Sequence, residues 1–286
     1  MTTDRLSSSK ARIENIRRRQ QAEEPVQLQL QLLPDIWPER VRALPNSMAR
    51  CALFTSADKR KERRQYAQAT LVSLEDMEVQ YTGQELRQDD QDVWLQIVHI
   101  ARAQRVGEWV ETTGNKLLTA LEWGRGKDRY LRLKQSIRRM TEATIWIVTP
   151  GQSIGMNRRL IENVIWDEAD EEGGSAWRIR LDYRIAELFA PQDRSLVEWS
   201  TRLKLTPLAK WLHSFYATHR DPYPYRVETL YKLCGSTSAR LSHFREDLKR
   251  ALQKLVEVEF LVSWEHDNRS DTISVKRKPR LAVTKA

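Results

Sequence analysis

The chain has 286 residues, 30% of them charged, with 48 Lys and Arg against 39 Asp and Glu and a formal net charge of +9. That length is ample for one large or two ordinary domains, and a globular surface with a positive surplus favours polyanions, nucleic acid before membrane. No run of about 18 apolar residues exists and no apolar leader follows the N-terminus, which disfavours a membrane; Cys51 and Cys234, the two cysteines, lack paired metal spacing and fit a reducing cytoplasm.

Residues 1–26 are polar, with Ser7-Ser8-Ser9 and Arg17-Arg18-Arg19, and hold too little apolar surface for a core. A flexible tail is expected there. Residues 26–34 then alternate Val or Leu with Gln up to Leu33-Pro34. Strict alternation is the period of a strand, and beside a tail it equally suits an extended docking peptide.

From residue 42 to about 183 the pattern reads strand, helix, helix, basic helix, strand and hairpin. Residues 77–81 form the first strand. Val93, Ile97, Ile100 and Ala101 mark an amphipathic helix started near Asp89-Asp90, and residues 115–123 a short one. After the turn Gly124-Arg125-Gly126, a helix carries Tyr130, Leu133, Ile137 and Met140 on one face. Lys134 and Arg138 lie on its flank, with Lys127 and Gln135 close by. Thr144–Val148 reads as a strand, and 160–166 with 177–183 as a hairpin around the acidic turn 167–174.

Residues 184–204 connect this region to a second one, with Trp199 expected at the contact. Leu208, Leu212 and Phe215 recur at helical spacing until His219-Arg220-Asp221-Pro222-Tyr223-Pro224 breaks the helix. Residues 227–233 resume a helix before the turn at Gly235. Leu241, Phe244, Leu248, Leu252 and Leu255 then form one apolar stripe of a long helix, for which Ser236, Thr237 and Ser238 offer N-caps. One residue step away, about 100° round the wheel, lie Arg240, His243, Asp247, Arg250 and Lys254. FLVSWEH and TISVKRK close as a hairpin around Asp267-Asn268-Arg269-Ser270, and Lys276 to Arg280 form a basic end.

Helices followed by a hairpin are the order of a winged helix, which sets its last helix in the DNA major groove; they are also simply a small α+β domain. The order occurs twice. The fold expected is therefore α+β, two tandem winged-helix domains at 41–185 and 186–286 behind a flexible tail at 1–40. Helix phase nominates DNA-contact residues in each: Lys127, Lys134, Gln135 and Arg138 in the first, and Thr237, Ser238, Arg240, His243, Arg250 and Lys254 in the second.

No catalytic constellation, cofactor motif or metal set is recognisable. Gly124-Arg125-Gly126-Lys127 lacks a phosphate loop's hydroxyl, since Asp128 follows, and its first glycine, since Leu121 stands there. The five histidines are scattered, and His99 and His213 fall within helices. The cluster Asp167, Glu168, Asp170, Glu171 and Glu172 reads as a solvated turn rather than a divalent-cation site. Tyr223, Tyr225 and Tyr231 have no His-x-His segment to support phosphodiester attack. A DNA-binding protein rather than an enzyme is expected.

Several segments resemble the TrfA-type plasmid replication initiators. They are Val41-Arg42-Ala43-Leu44-Pro45-Asn46, Ala52-Leu53-Phe54-Thr55, Tyr81-Thr82-Gly83 with Glu85-Leu86-Arg87, Trp94, and Arg129-Tyr130. His219 to Pro224, Glu228-Thr229 and Cys234-Gly235-Ser236 carry the likeness furthest. The resemblance implies winged helices that bind directly repeated origin sequences, or iterons, as monomers, with a homodimer as the inactive form. It implies melting of adjacent AT-rich DNA, with single-stranded DNA as a further ligand, and recruitment of host DnaA, the replicative helicase and the sliding clamp in a bacterial cytoplasm. Gln29-Leu30-Gln31-Leu32-Leu33 is similar to the short Gln-Leu-x-Leu-(Phe/Leu) clamp-binding peptide, which nominates Gln29, Leu30, Leu32 and Leu33. A transcriptional repressor and a metal-dependent nicking initiator are the alternatives.

Overall fold

A computed structural model describes residues 37–278 apart from 75–76, 106, 149–155 and 171–172. The expected tail and residues 29–33, with their clamp peptide, lie outside the described residues.

The described chain opens with β1 (Val41–Pro45), α1 (Asn46–Ala49), β2 (Phe54–Thr55), β3 (Gln65–Leu71), β4 (Glu78–Gln84) and β5 (Leu86–Arg87). Helix α2 (Gln88–Ala101) starts where the Asp90 carboxylate accepts the Arg87 backbone N–H at 2.8 Å. A carboxylate in the first turn both satisfies an orphan donor and opposes the positive end of the helix dipole. Then come β6 (Trp109–Thr113), α3 (Gly114–Ala120), α4 (Lys127–Glu142), β7 (Thr144–Val148), β8 (Met156–Arg158), β9 (Asn163–Ile165) and β10 (Ala176–Arg180). A 3-10 turn (Tyr183–Phe189), β11 (Arg194–Glu198) and α5 (Trp199–Leu203) lead into the second half. That half comprises α6 (Pro207–Ala217), β12 (Tyr225–Arg226), α7 (Val227–Leu233), α8 (Leu241–Glu257), β13 (Leu261–Asp267) and β14 (Thr272–Arg277).

The two halves share one topology. In the first, α2, β6, α3, α4, β9 and β10 follow in order, and the sheet runs β6–β10–β9; in the second, α6, β12, α7, α8, β13 and β14 follow in order, and the sheet runs β12–β14–β13. In each half the strand preceding the short helix joins the last hairpin beside its second strand. The first half also carries a four-stranded sheet, β3–β4–β7–β8, from strands on both sides of its three helices. The sequence shows the three helices and the hairpin of each half. The strands β1, β2, β3, β5, β6, β8, β11 and β12 were not anticipated.

Two apolar cores divide the chain, one running from Trp37 to Trp199 and the other from Leu205 to Ile273. The first core therefore reaches past residue 185, where a boundary was drawn from the sequence. The expected connector 184–204 supplies Ile185, Leu188 and Phe189 to it, and β11 pairs antiparallel with β1, Val41 opposite Glu198 and Pro45 opposite Arg194. Trp199 is buried, and its indole N–H donates to the Ala120 carbonyl at 2.9 Å.

The start of α8 differs from expectation. Its N-cap is Arg240, and no side chain caps it. Ser236, Thr237 and Ser238 instead shape the turn before the helix: the Ser236 hydroxyl accepts the Ser238 N–H at 3.3 Å, and the Tyr231 hydroxyl donates to the Ser238 carbonyl at 2.9 Å. Gly235 allows this turn, with φ at +60° and the position of a Cβ only 2.6 Å from Thr55 Cγ2 in the first half. A side chain would be strained by backbone and by contact alike.

Candidate nucleic-acid interface

On α8 the stripe expected from spacing is the buried one. Phe244, Leu248, Leu252 and Leu255 are buried against the second core, and Leu241 is half-buried. Rotation by one residue leaves Arg240, Ser242 and His243 exposed at the N-terminal end. No acidic residue lies in that first turn. Arg240 therefore adds to the positive end of the helix dipole, where uncapped N–H groups suit an anion. Farther along, Arg250 pairs with Asp247, and Lys254 with Glu257 at 3.1 Å. Such exposed pairs are worth only ~0.2–1 kcal/mol, so exchanging the carboxylate for another anion would cost little.

Thr237, Ser238, Arg250 and Lys254 line a cleft of about 900 Å³ between the halves; Arg132 and Trp123 of the first half line it too. Arg132 lies 4.0 Å over the Trp123 ring and bonds Asp89 at 3.0 Å. Of the residues nominated in the second half, Arg240 and His243 are exposed beyond this cleft and the other four border it.

The first-half nominations divide. Lys127, Gln135 and Arg138 are exposed on α4. Lys134 is only 6% exposed, with its ammonium 3.3 Å from the Asp167 carbonyl and 3.4 Å from Glu168 Oε2. It also lies 5.0 Å from the Tyr130 ring centroid and 5.5 Å from that of Trp166. Four residues after Tyr130, it falls on the inner face of the helix, and the acidic turn closes over it. Lys134 is thus a structural cation and reaches no outside ligand in this conformation. Arg138 remains half-exposed but bonds Glu168 at 2.6 Å. The Trp166 indole N–H, with Arg138 and Lys134 behind it, holds the Glu168 carboxyl well below the usual carboxylate range, at about 2.

The remaining chemistry of that acidic turn is local. Asp170 accepts the N–H groups of Gly173 at 2.8 Å and Ser175 at 2.7 Å. Among the described residues no group of three His, Cys, Asp or Glu is placed to hold a metal ion. His219 Nε2 lies 2.9 Å from the Tyr225 hydroxyl, with its Nδ1 2.9 Å from the Phe215 carbonyl, so this pair closes the end of α6. Among the described residues no helix is long and apolar enough to cross a membrane.

A buried ionic cluster fixes the halves to each other. The Arg202 guanidinium is fully buried. It donates to Asp92 at 2.7 Å, Gln91 at 2.8 Å and Gln88 at 3.0 Å on α2, and to the Ser214 hydroxyl at 2.7 Å on α6. Lys210 pairs with the other Asp92 oxygen. Paired charges inside a protein need their remaining hydrogen bonds satisfied, and this set does so. The positions of α2 and α6 are thereby coupled.

One cationic feature of the cleft was not nominated from the sequence. Lys59, Arg60 and Lys61 line it opposite α8. The run Lys59-Arg60-Lys61-Glu62-Arg63-Arg64 was the available signal.

Two modules of one topology, locked by a buried cluster and each presenting a long helix with an exposed polar face, constitute a known double-module fold. Crystal structures of domains 2 and 3 of RctB superpose on it with TM-scores of 0.55 and 0.52. The first covers 81% of this chain and 98% of that chain, the second 78% and 92%, both at 13% identity, so the likeness is one of fold. The chain belongs to the TrfA family, whose sequence profile, described as TrfA protein, matches residues 3–277. The plasmid replication initiator protein TrfA of Escherichia coli is 30% identical over 225 residues, 77% of this chain. The match spans 58% of that relative's length.

Proposed function

We propose that this chain is a plasmid replication initiator whose halves are tandem winged-helix domains that bind directly repeated origin DNA. The observation that carries this is α8. Its apolar stripe is seated in the second core, while Arg240 and His243 stay exposed at a positive N-terminal end. A helix so mounted enters a major groove with its first residues at the base edges. The hairpin of β13 and β14 serves as the wing. In the first half α4 occupies the corresponding place, with Lys127, Gln135 and Arg138 outward. The initiator name borne by the Escherichia coli relative supports origin DNA as the target.

The role is one of binding rather than catalysis, in a bacterial cytoplasm. Opening of AT-rich DNA and recruitment of DnaA, the replicative helicase and the sliding clamp follow, with Gln29, Leu30, Leu32 and Leu33 as the clamp contact. The test of DNA reading is Arg240→Ala in a binding assay on origin repeats. A lost base contact costs ~1–3 kcal/mol and relaxes one position of the repeat. Unchanged affinity and unchanged specificity would overturn the assignment of α8. For the clamp contact, Leu32→Ala with Leu33→Ala abolishes clamp pull-down and spares repeat binding; loss of both would make the segment part of the fold.

A further inference from the structure

The basic loop 59–61 belongs to the first half, yet it is built onto the turn that starts α8. Ser56 N–H donates to the Cys234 carbonyl at 2.8 Å, and Lys61 Nζ to the Thr237 carbonyl at 2.5 Å. The Arg64 guanidinium donates to the Gly235 carbonyl at 3.4 Å. Thr55 fills the space a side chain at Gly235 would need.

The loop is also braced from below. Buried Arg87 donates to the carbonyls of Asp58 at 2.9 Å, Lys61 at 3.0 Å and Glu62 at 2.9 Å. Glu85 in turn holds Arg87, at 2.7 Å. A backbone gripped at three carbonyls presents its side chains from a fixed platform, which lowers the ordering cost of any contact they make.

Lys59 and Arg60 point from that platform into solvent, Arg60 with its side chain 84% exposed and paired to Asp58 at 3.1 Å. They line the same cleft as Thr237, Ser238, Arg250 and Lys254. All six side chains thus border one cleft, of about 900 Å³.

We infer that Lys59 and Arg60 bind the phosphates of the DNA strand bordering the groove read by α8, so that a loop of one half completes the binding site of the other. The inference rests on the DNA-binding role proposed above. Lys61 acts differently, as the tether that holds the loop to Thr237.

The test is the full chain carrying Lys59→Gln with Arg60→Gln, titrated with origin-repeat duplex and with unrelated duplex over a range of salt. Arg240→Ala is measured alongside. The double variant flattens the slope of log affinity against log salt by about two on both DNAs, since each lost phosphate contact removes about 0.9. Its thermal unfolding stays that of the parent, because both side chains are exposed. If Arg240→Ala weakens repeat binding while the double variant keeps the parent's slope, the loop assignment falls alone. If neither variant changes binding, the assignment of α8 falls with it. A loss confined to the repeat duplex with an unchanged slope would also overturn the phosphate role.

Discussion

Gly235 shows how a single residue ties the halves together. Its backbone is left-handed, and a Cβ would sit 2.6 Å from Thr55 Cγ2. Gly235→Ala is therefore expected to destabilise by about 1–3 kcal/mol in urea unfolding. Thr55→Ala in the same chain should recover part of that loss, because it removes the nearest clashing atom. A fully additive pair would contradict the contact. His213 gives a second test. Burial, with Arg202 and Arg277 nearby, pushes its imidazole from the ordinary 6.5 down to about 3. Between those values the unfolded chain binds a proton that the folded chain refuses, so stability falls as pH drops below about 6.5 and is unaffected above it. His213→Leu should lose less thermal stability than the parent between neutral pH and pH about 5. An identical pH dependence in the two would rule out a buried neutral His213. At this scale the sequence was least informative. Lys134 and Arg138 stand four apart on α4 and share a helical flank, yet one is covered by the turn 167–170 and the other is not. Helical phase alone carries no record of a distant turn folding over it.

Among the elements, the long helices were legible because each carries a single stripe with a period of 3.6 residues. In α8 the stripe predicted from Leu241 to Leu255 is the one seated in the core, and the hairpin after it lies where the turn residues indicate. The strands that escaped notice have physical reasons for doing so. β2, β5 and β12 are two residues long, and β3 buries only its last residue, Leu71, which leaves no alternation to read. The caps of α8 failed for a related reason: three hydroxyl residues offered themselves, and the turn at Gly235 consumed them. Two expectations belong here. Removing Arg202 as Arg202→Ala leaves Asp92 buried with half its partners, which should cost ~3–5 kcal/mol. Arg202→Ala with Asp92→Ala should cost less than the sum of the two singles, because no carboxylate is then orphaned. Equal sums in urea unfolding would mean the cluster does not act as a unit. On α4, Lys134→Met should leave the salt slope of DNA binding unchanged, whereas Arg138→Ala should flatten it by about one. A flattened slope for Lys134→Met would place its ammonium outside after all.

For the molecule as a whole, the doubled order of helices and hairpin was visible in the sequence, and the shared sheet order adds what periodicity cannot supply. In both halves the strand before the short helix pairs with the last strand of the hairpin. The division of the chain was less legible, since residues 185–199 look like a linker but fill the first core. The coupling of the halves was invisible, because Arg202, Asp92 and Ser214 are far apart in sequence and each is unremarkable alone. On the function proposed, that coupling has a consequence for recognition: if α4 and α8 both read DNA, their fixed relation requires two contact sites at one fixed spacing. Footprinting of the full chain on the plasmid origin proposed as its target tests this most directly. Protection recurring at one regular spacing over direct repeats, each footprint covering two adjacent stretches of one face of the helix, is the expected result. Protection of a single palindrome, or of no defined sequence, would contradict it.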